Sequence, residues 1–144
     1  MKNSVSLSVI FLTVFSLSGC VGVVHTYEGP QKPVEEVAIL KGEVTEFAGR
    51  NYRVVFASYS DLSKDENDFK DVGDEFVGYP KEIHMLPGDY FVFTKCLVGN
   101  EYGFPTVKAS VKAGEIYKVK CGPIPGKLSS VGAMIQLVEQ EAEQ

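Results

Sequence analysis

Few side chains in this 144-residue sequence have the type and spacing to do chemistry. The histidines are His25 and His84. Each carries a side chain able to exchange a proton near neutral pH, but neither belongs to a Ser/His/Asp order or an H-E-x-x-H helix, and no phosphate-binding loop is present. His25 reads as a solvated histidine with little scaffold around it, and His84 as a partly exposed strand residue. Asp61–Glu75 (DLSKDENDFKDVGDE) sets seven carboxylates against Lys64 and Lys70. It is a loose calcium-binding candidate, yet its spacing fails the alternating ligands, central glycine and terminal glutamate of a calcium hand. A solvated loop between strands is the expectation there. No catalytic residue, metal site or cofactor is expected, and the chain reads as a non-enzyme.

Cysteine is the second reactive type. Cys96 ends Tyr90-Phe-Val-Phe-Thr-Lys-Cys, and strand alternation puts it on the face of Val92, opposite Lys95. Cys121 ends Ile116-Tyr-Lys-Val-Lys-Cys, on the face of Tyr117 and Val119 and opposite Lys118 and Lys120. Both sulfurs therefore point inward, either as a disulfide or as two buried thiols. A bridge would close a loop that stabilises the fold by about 3 kcal/mol. Two isolated cysteines offer too few ligands for a metal.

The third cysteine, Cys20, follows a short positive start (Met1-Lys2-Asn3-Ser4) and an uncharged apolar run, Val5 to Phe15. That is the layout of a secretory signal, too short to span a bilayer. Leu17-Ser18-Gly19-Cys20 resembles the lipobox of bacterial lipoproteins. The resemblance implies a thioether-linked diacylglycerol on Cys20, removal of residues 1–19 and acylation of the new amino terminus, with palmitate-like chains holding the protein in the membrane. Val21 is not the aspartate of an inner-membrane retention signal. For a host with two membranes this implies the inner leaflet of the outer membrane, facing the periplasm. An oxidising compartment would in turn favour pairing Cys96 with Cys121.

Cleavage would take one lysine, Lys2, from the 14 basic residues that face 19 acidic ones. An acidic exported chain lacks the concentrated lysine and arginine that nucleic-acid binding requires. The length fits one domain. The expected division is a signal peptide at 1–19, a lipidated amino terminus and linker at 20–33, a β-domain at 34–139 and an acidic tail at 140–144. The Gly- and Pro-bearing linker would reach up to roughly 40 Å if extended.

Elements that would position these groups read as strands: Tyr52–Tyr59, Glu82–Leu86, Tyr90–Val98, Thr106–Lys112, Ile116–Cys121 and Val131–Val138. Val34–Leu40 fits a strand or a single helical turn. Pro87-Gly88 suits the centre of a type II turn, and Ala113-Gly114-Glu115 turns the chain into Ile116. Regular turns without a long helical pattern predict an all-β fold, a single antiparallel β-sandwich of immunoglobulin- or transthyretin-like type. "LPGDYFVFTKC" and "VKASVKAGEIYKVKC" resemble the PG and AG-E-x-Y hairpins of PEGA-like β-sandwich modules in bacterial surface proteins. "YEGPQKPVEEVAIL" resembles the opening of small bacterial lipoproteins carrying such a domain. That likeness implies the fold and no activity.

Alternation places Lys95, Lys108, Lys112, Lys118 and Lys120 outward on neighbouring strands, as a stripe for an acidic polymer or headgroup or simply as edge protection and solubility. Tyr102 and Phe104 would extend it, while Phe91 and Phe93 read as core. The function expected is a membrane-anchored, non-catalytic interaction module of the bacterial envelope. Its partner would be an envelope protein or a cell-wall polymer. The alternative is a cell-wall or glycan binder, or an inhibitor of an envelope-attacking hydrolase.

Overall fold

A computed structural model describes residues 22–65, 68–127 and 129–138. The expected signal peptide, the lipobox with Cys20 and the acidic tail lie outside the described residues.

Among the described residues eleven strands follow in chain order: β1 (Val23–His25), β2 (Ala38–Gly42), β3 (Val44–Phe47), β4 (Arg50–Asp61), β5 (Phe69–Asp71), β6 (Glu82–Met85), β7 (Gly88–Val98), β8 (Glu101–Gly103), β9 (Thr106–Val111), β10 (Ile116–Pro123) and β11 (Val131–Leu137). They form two sheets. One has the order β1-β6-β2-β10-β11; in the other, β4 and β7 are central, with β3 and β5 sharing the outer edge of β4 and β8 and β9 sharing that of β7. Two-residue alternation sends Leu40, Val54, Phe56, Ile83, Val92, Ala109 and Val119 between the sheets, where each is fully or almost fully buried. The fold is an all-β sandwich, as the strand pattern predicts. It is not purely antiparallel: β1 pairs parallel with β6, and β2 with β10.

The expected hairpins are corners. β6 and β7 lie in different sheets, and so do β9 and β10. Gly88 takes a φ of 157°, far from the roughly +80° of a type II turn centre. The chain therefore passes straight from one sheet into the other, braced by the Tyr90 hydroxyl donating to the Leu86 carbonyl at 2.9 Å. At the second corner Gly114, with a φ of 78°, donates its N–H to the Val37 carbonyl. Glycine and proline make hairpins and corners with the same residues, which is why the sequence pattern does not separate them.

A third corner joins β2 to β3. There Gly42 passes so close to β4 that a Cβ would sit 2.2 Å from the Val54 carbonyl oxygen. Cys96 on β7 and Cys121 on β10 are bonded across the two sheets, with Cα atoms 6.1 Å apart. The inward alternation of both sulfurs is thus realised.

Three further expectations change. Residues 34–40 contain both alternatives, a single 3-10 turn at Val34–Glu36 and then β2. Part of the expected linker at 20–33 is not a free tether, because β1 (Val23–His25) pairs with β6 in the sheet. The acidic 61–75 stretch contains β5, which pairs with β4.

Candidate interaction surface

The outer face of the sheet built on β4 and β7 carries the most unusual side-chain arrangement. Alternation that sends Val92, Thr94 and Cys96 inward sends Phe91, Phe93 and Lys95 outward. Phe91 and Phe93 are therefore not core residues. They line a shallow apolar groove with Leu62, Phe69 and Thr106, and the Phe69 and Phe93 rings meet edge-on at 5.1 Å.

Lys95 should then be solvated, and it is not. Its side chain is only 8% exposed, because the 74–80 segment crosses the sheet above it. The ammonium donates to Glu75 Oε1 at 2.5 Å. It also stands 4.6 Å from the Tyr79 ring centroid, 4.5 Å from Tyr102 and 5.8 Å from Phe104. Negative ring faces and a carboxylate replace the water that the cation gives up. The Glu75 hydrogen bond pushes the Lys95 pKa up, and the Lys95 hydrogen bond pulls the Glu75 pKa down. Burial, followed by the Glu75 hydrogen bond, pushes the Tyr79 phenol up.

Around this cation the 74–80 segment is closely braced. Asp74 Oδ1 accepts the N–H groups of Phe76 and Val77, both at 2.8 Å. Asp74 and Gly78 exchange backbone hydrogen bonds, and a Cβ on Gly73 would meet the Gly78 carbonyl oxygen at 2.5 Å. The tip of the turn is Phe76, 98% exposed, beside exposed Val77. A large apolar ring held in water by a backbone with little freedom is an unusual placement. Tyr102 and Phe104, both more than half exposed, continue the face.

The five lysines do not form one stripe. Lys108 lies outward on β9 and Lys112 just beyond its end, while Lys118 and Lys120 lie outward on β10, on the opposite sheet. Glu43 pairs with both of the latter, at 2.8 Å from Lys118 and 3.8 Å from Lys120. Strand alternation alone fixes inside and outside, not which sheet a strand joins.

His84 is buried rather than partly exposed, and its Nε2 lies 2.7 Å from Glu82 Oε1. His25, expected in a solvated linker, is the register partner of His84 in the β1–β6 pair, and the two rings meet edge-on at 4.9 Å. This histidine–carboxylate pair lines none of the main concavities found among the described residues. No group of three or more His, Cys, Asp or Glu side chains converges as metal ligands among the described residues. In the acidic stretch the carboxylates serve local structure: Asp61 accepts from Ser63, and Asp74 and Glu75 hold the turn. The Ser63 hydrogen bonds hold the Asp61 pKa below the usual carboxylate range.

Sequence reasoning missed Phe76, Tyr79 and Glu75 as one assembly. Asp74 with Phe76-Val77-Gly78 was the available signal, since an aspartate two and three residues before free N–H groups favours such a turn. Among the described residues no helix is long and apolar enough to cross a membrane.

These features define a small β-sandwich, stapled across its sheets by a disulfide, with a braced apolar turn on one outer face. No protein-family model, curated protein or solved structure matches the chain.

Proposed function

We propose that this chain is a bacterial envelope lipoprotein, anchored through Cys20, whose β-sandwich is a non-catalytic module that captures a protein partner on the outer face of the β4–β7 sheet. The observation that carries the reading is Phe76, almost fully exposed on a turn fixed by Asp74 and by the Glu75–Lys95 pair. A ring presented by a pre-formed backbone can fill a partner's apolar pocket with little loss of conformational freedom. Tyr102, Phe104 and Val77 would supply the surrounding contact, and aromatic residues of this kind are enriched in interface centres.

Photo-crosslinking in intact cells tests this, with a probe amino acid replacing Phe76, Tyr102 or Lys118 one at a time in the full chain. A discrete protein adduct from positions 76 and 102, absent from 118 on the opposite sheet, is the expected result. The reading falls if position 76 gives no adduct, or if 118 gives the same one.

One observation favours a second reading, cell-wall or glycan binding. A cleft of about 350 Å³ is lined by Tyr27, Tyr59, Tyr90, Asp61, Lys64 and Lys70 among others, a mixture of rings and charged groups suited to a sugar. It predicts sedimentation with purified cell wall that is lost in Tyr27→Ala.

A further inference from the structure

We infer that the β10–β11 end of the sandwich rests in the membrane surface, so that the domain is seated on the bilayer at two points instead of swinging from a tether. The inference rests on the proposed lipid anchor at Cys20 and adds to it an orientation and a lipid-contacting surface.

Strand register supplies the first argument. Val23, Glu82, Lys41, Lys118 and Gln136 are partners in succession and form one row across the five-stranded sheet. β1 runs parallel to β6, so the chain preceding Val23 leaves the row on the side toward which β10 continues to Pro123. Two residues, Val21 and Gly22, separate Val23 from Cys20, so Cys20 lies three Cα steps away, a reach of at most about 10 Å. β10 runs five residues past the row, about 16 Å at strand rise. Because β1 and β11 are the two edges of the sheet, anchor and β10–β11 end also lie about 19 Å apart across it. An acylated Cys20 would therefore bring the end of β10 into the headgroup layer, roughly 6 Å deeper than the anchor itself.

Composition supplies the second argument. Phe47, Pro123, Ile124, Pro125 and Met134 line an open apolar concavity of about 350 Å³ at this end. Phe47 and Met134 are each more than half exposed. The loop keeps its shape through Ile124 N–H donating to the Ser130 carbonyl and Lys127 N–H donating to the Ile124 carbonyl. Apolar side chains on a fixed loop, with Lys120 and Lys127 beside them, match the few-ångström burial of interfacial anchors, where long cations reach the headgroups.

The test uses the full lipidated chain in vesicles of phosphatidylethanolamine and phosphatidylglycerol, part of the lipid carrying brominated acyl chains. An environment-sensitive fluorescent amino acid replaces Ile124, Phe47 or, at the far end of β6, Leu86. Emission from 124 and 47 is expected to shift to the blue and be quenched by bromine, while 86 stays aqueous. Aqueous emission from 124 and 47 in protein whose mass includes the Cys20 acyl groups overturns the seating and leaves the anchor standing. A mass without acyl groups overturns the anchor, and the seating with it.

Discussion

The ammonium of Lys95 and the carboxylate of Glu75, 20 residues apart in sequence, meet at 2.5 Å under a turn whose tip is Phe76. The ion pair joins the centre of β7 to the segment that covers it. Replacing Glu75 by Gln, or Lys95 by Met, should free that segment while the two sheets persist. Hydrogen exchange at the Phe76 and Val77 amides is expected to accelerate in both variants, and the yield of any crosslinked adduct at position 76 to fall. Unchanged exchange would mean that Asp74 alone holds the turn.

The Cys96–Cys121 bond joins positions 25 residues apart and one sheet to the other. Breaking it with the double substitution Cys96→Ala and Cys121→Ala should cost about 3 kcal/mol. For a domain of this size that lowers the melting temperature by roughly 10 to 20 °C. Calorimetry of the oxidised, reduced and substituted proteins checks the value. A shift of only a degree or two would mean that the packed sheets hold each other without the bond.

At Gly42 the space is gone before a side chain is added. Gly42→Ala would drive a methyl group against the Val54 carbonyl, 2.2 Å away. Separating β2 from β4 to admit it should cost about 1–3 kcal/mol, read from urea unfolding.

Ala48 presents the opposite opportunity. It and Gly49 form the two-residue turn between β3 and β4, with φ values of 49° and 74°. A turn with both centres at positive φ favours Asn-Gly, and an alanine there is strained by its Cβ. Ala48→Asn or Ala48→Gly should raise stability by about 0.5–1 kcal/mol in the same urea assay.

Stability should also bend at both ends of the pH scale. Burial pushes the Tyr90 phenol up to about 12. Its unfolded counterpart ionises near 10, so the contribution is complete below pH 10 and is lost as pH rises through the folded value. Asp61 and Glu75 are held down in the fold. Their contribution is present above their ordinary values of 3.8 and 4.5 and disappears as pH falls through the lowered ones. Melting temperature against pH should show both limbs, and Tyr90→Phe should flatten the alkaline one. An alkaline limb untouched by that substitution would assign it to another group.

Much of the sandwich was legible because strand alternation is a local property. The period that turns Cys96 and Cys121 inward also places Val92, Ala109, Val111 and Val119 in the core. The sorting of strands into sheets was not legible, since Pro87-Gly88 and Ala113-Gly114 serve a corner as well as a hairpin. The same ambiguity split the lysines, putting Lys108 on one face of the molecule and Lys118 on the other. Lys95 was misread for a different reason: its cover comes from a distant, acidic segment whose composition reads as loop. Nothing near Lys95 in sequence announces Tyr79 or Glu75. His84 likewise gains its burial from β1, a three-residue strand too short to have a period.

The described chain crosses between the sheets four times, after β2, β5, β6 and β9. The five-stranded sheet is thus assembled largely from strands remote in sequence, and β2 finds its partners only when β6 and β10 arrive. That sheet cannot form from any one local stretch of the chain. Refolding should therefore be a single slow event on a millisecond-to-second scale, limited by the search for these distant pairings.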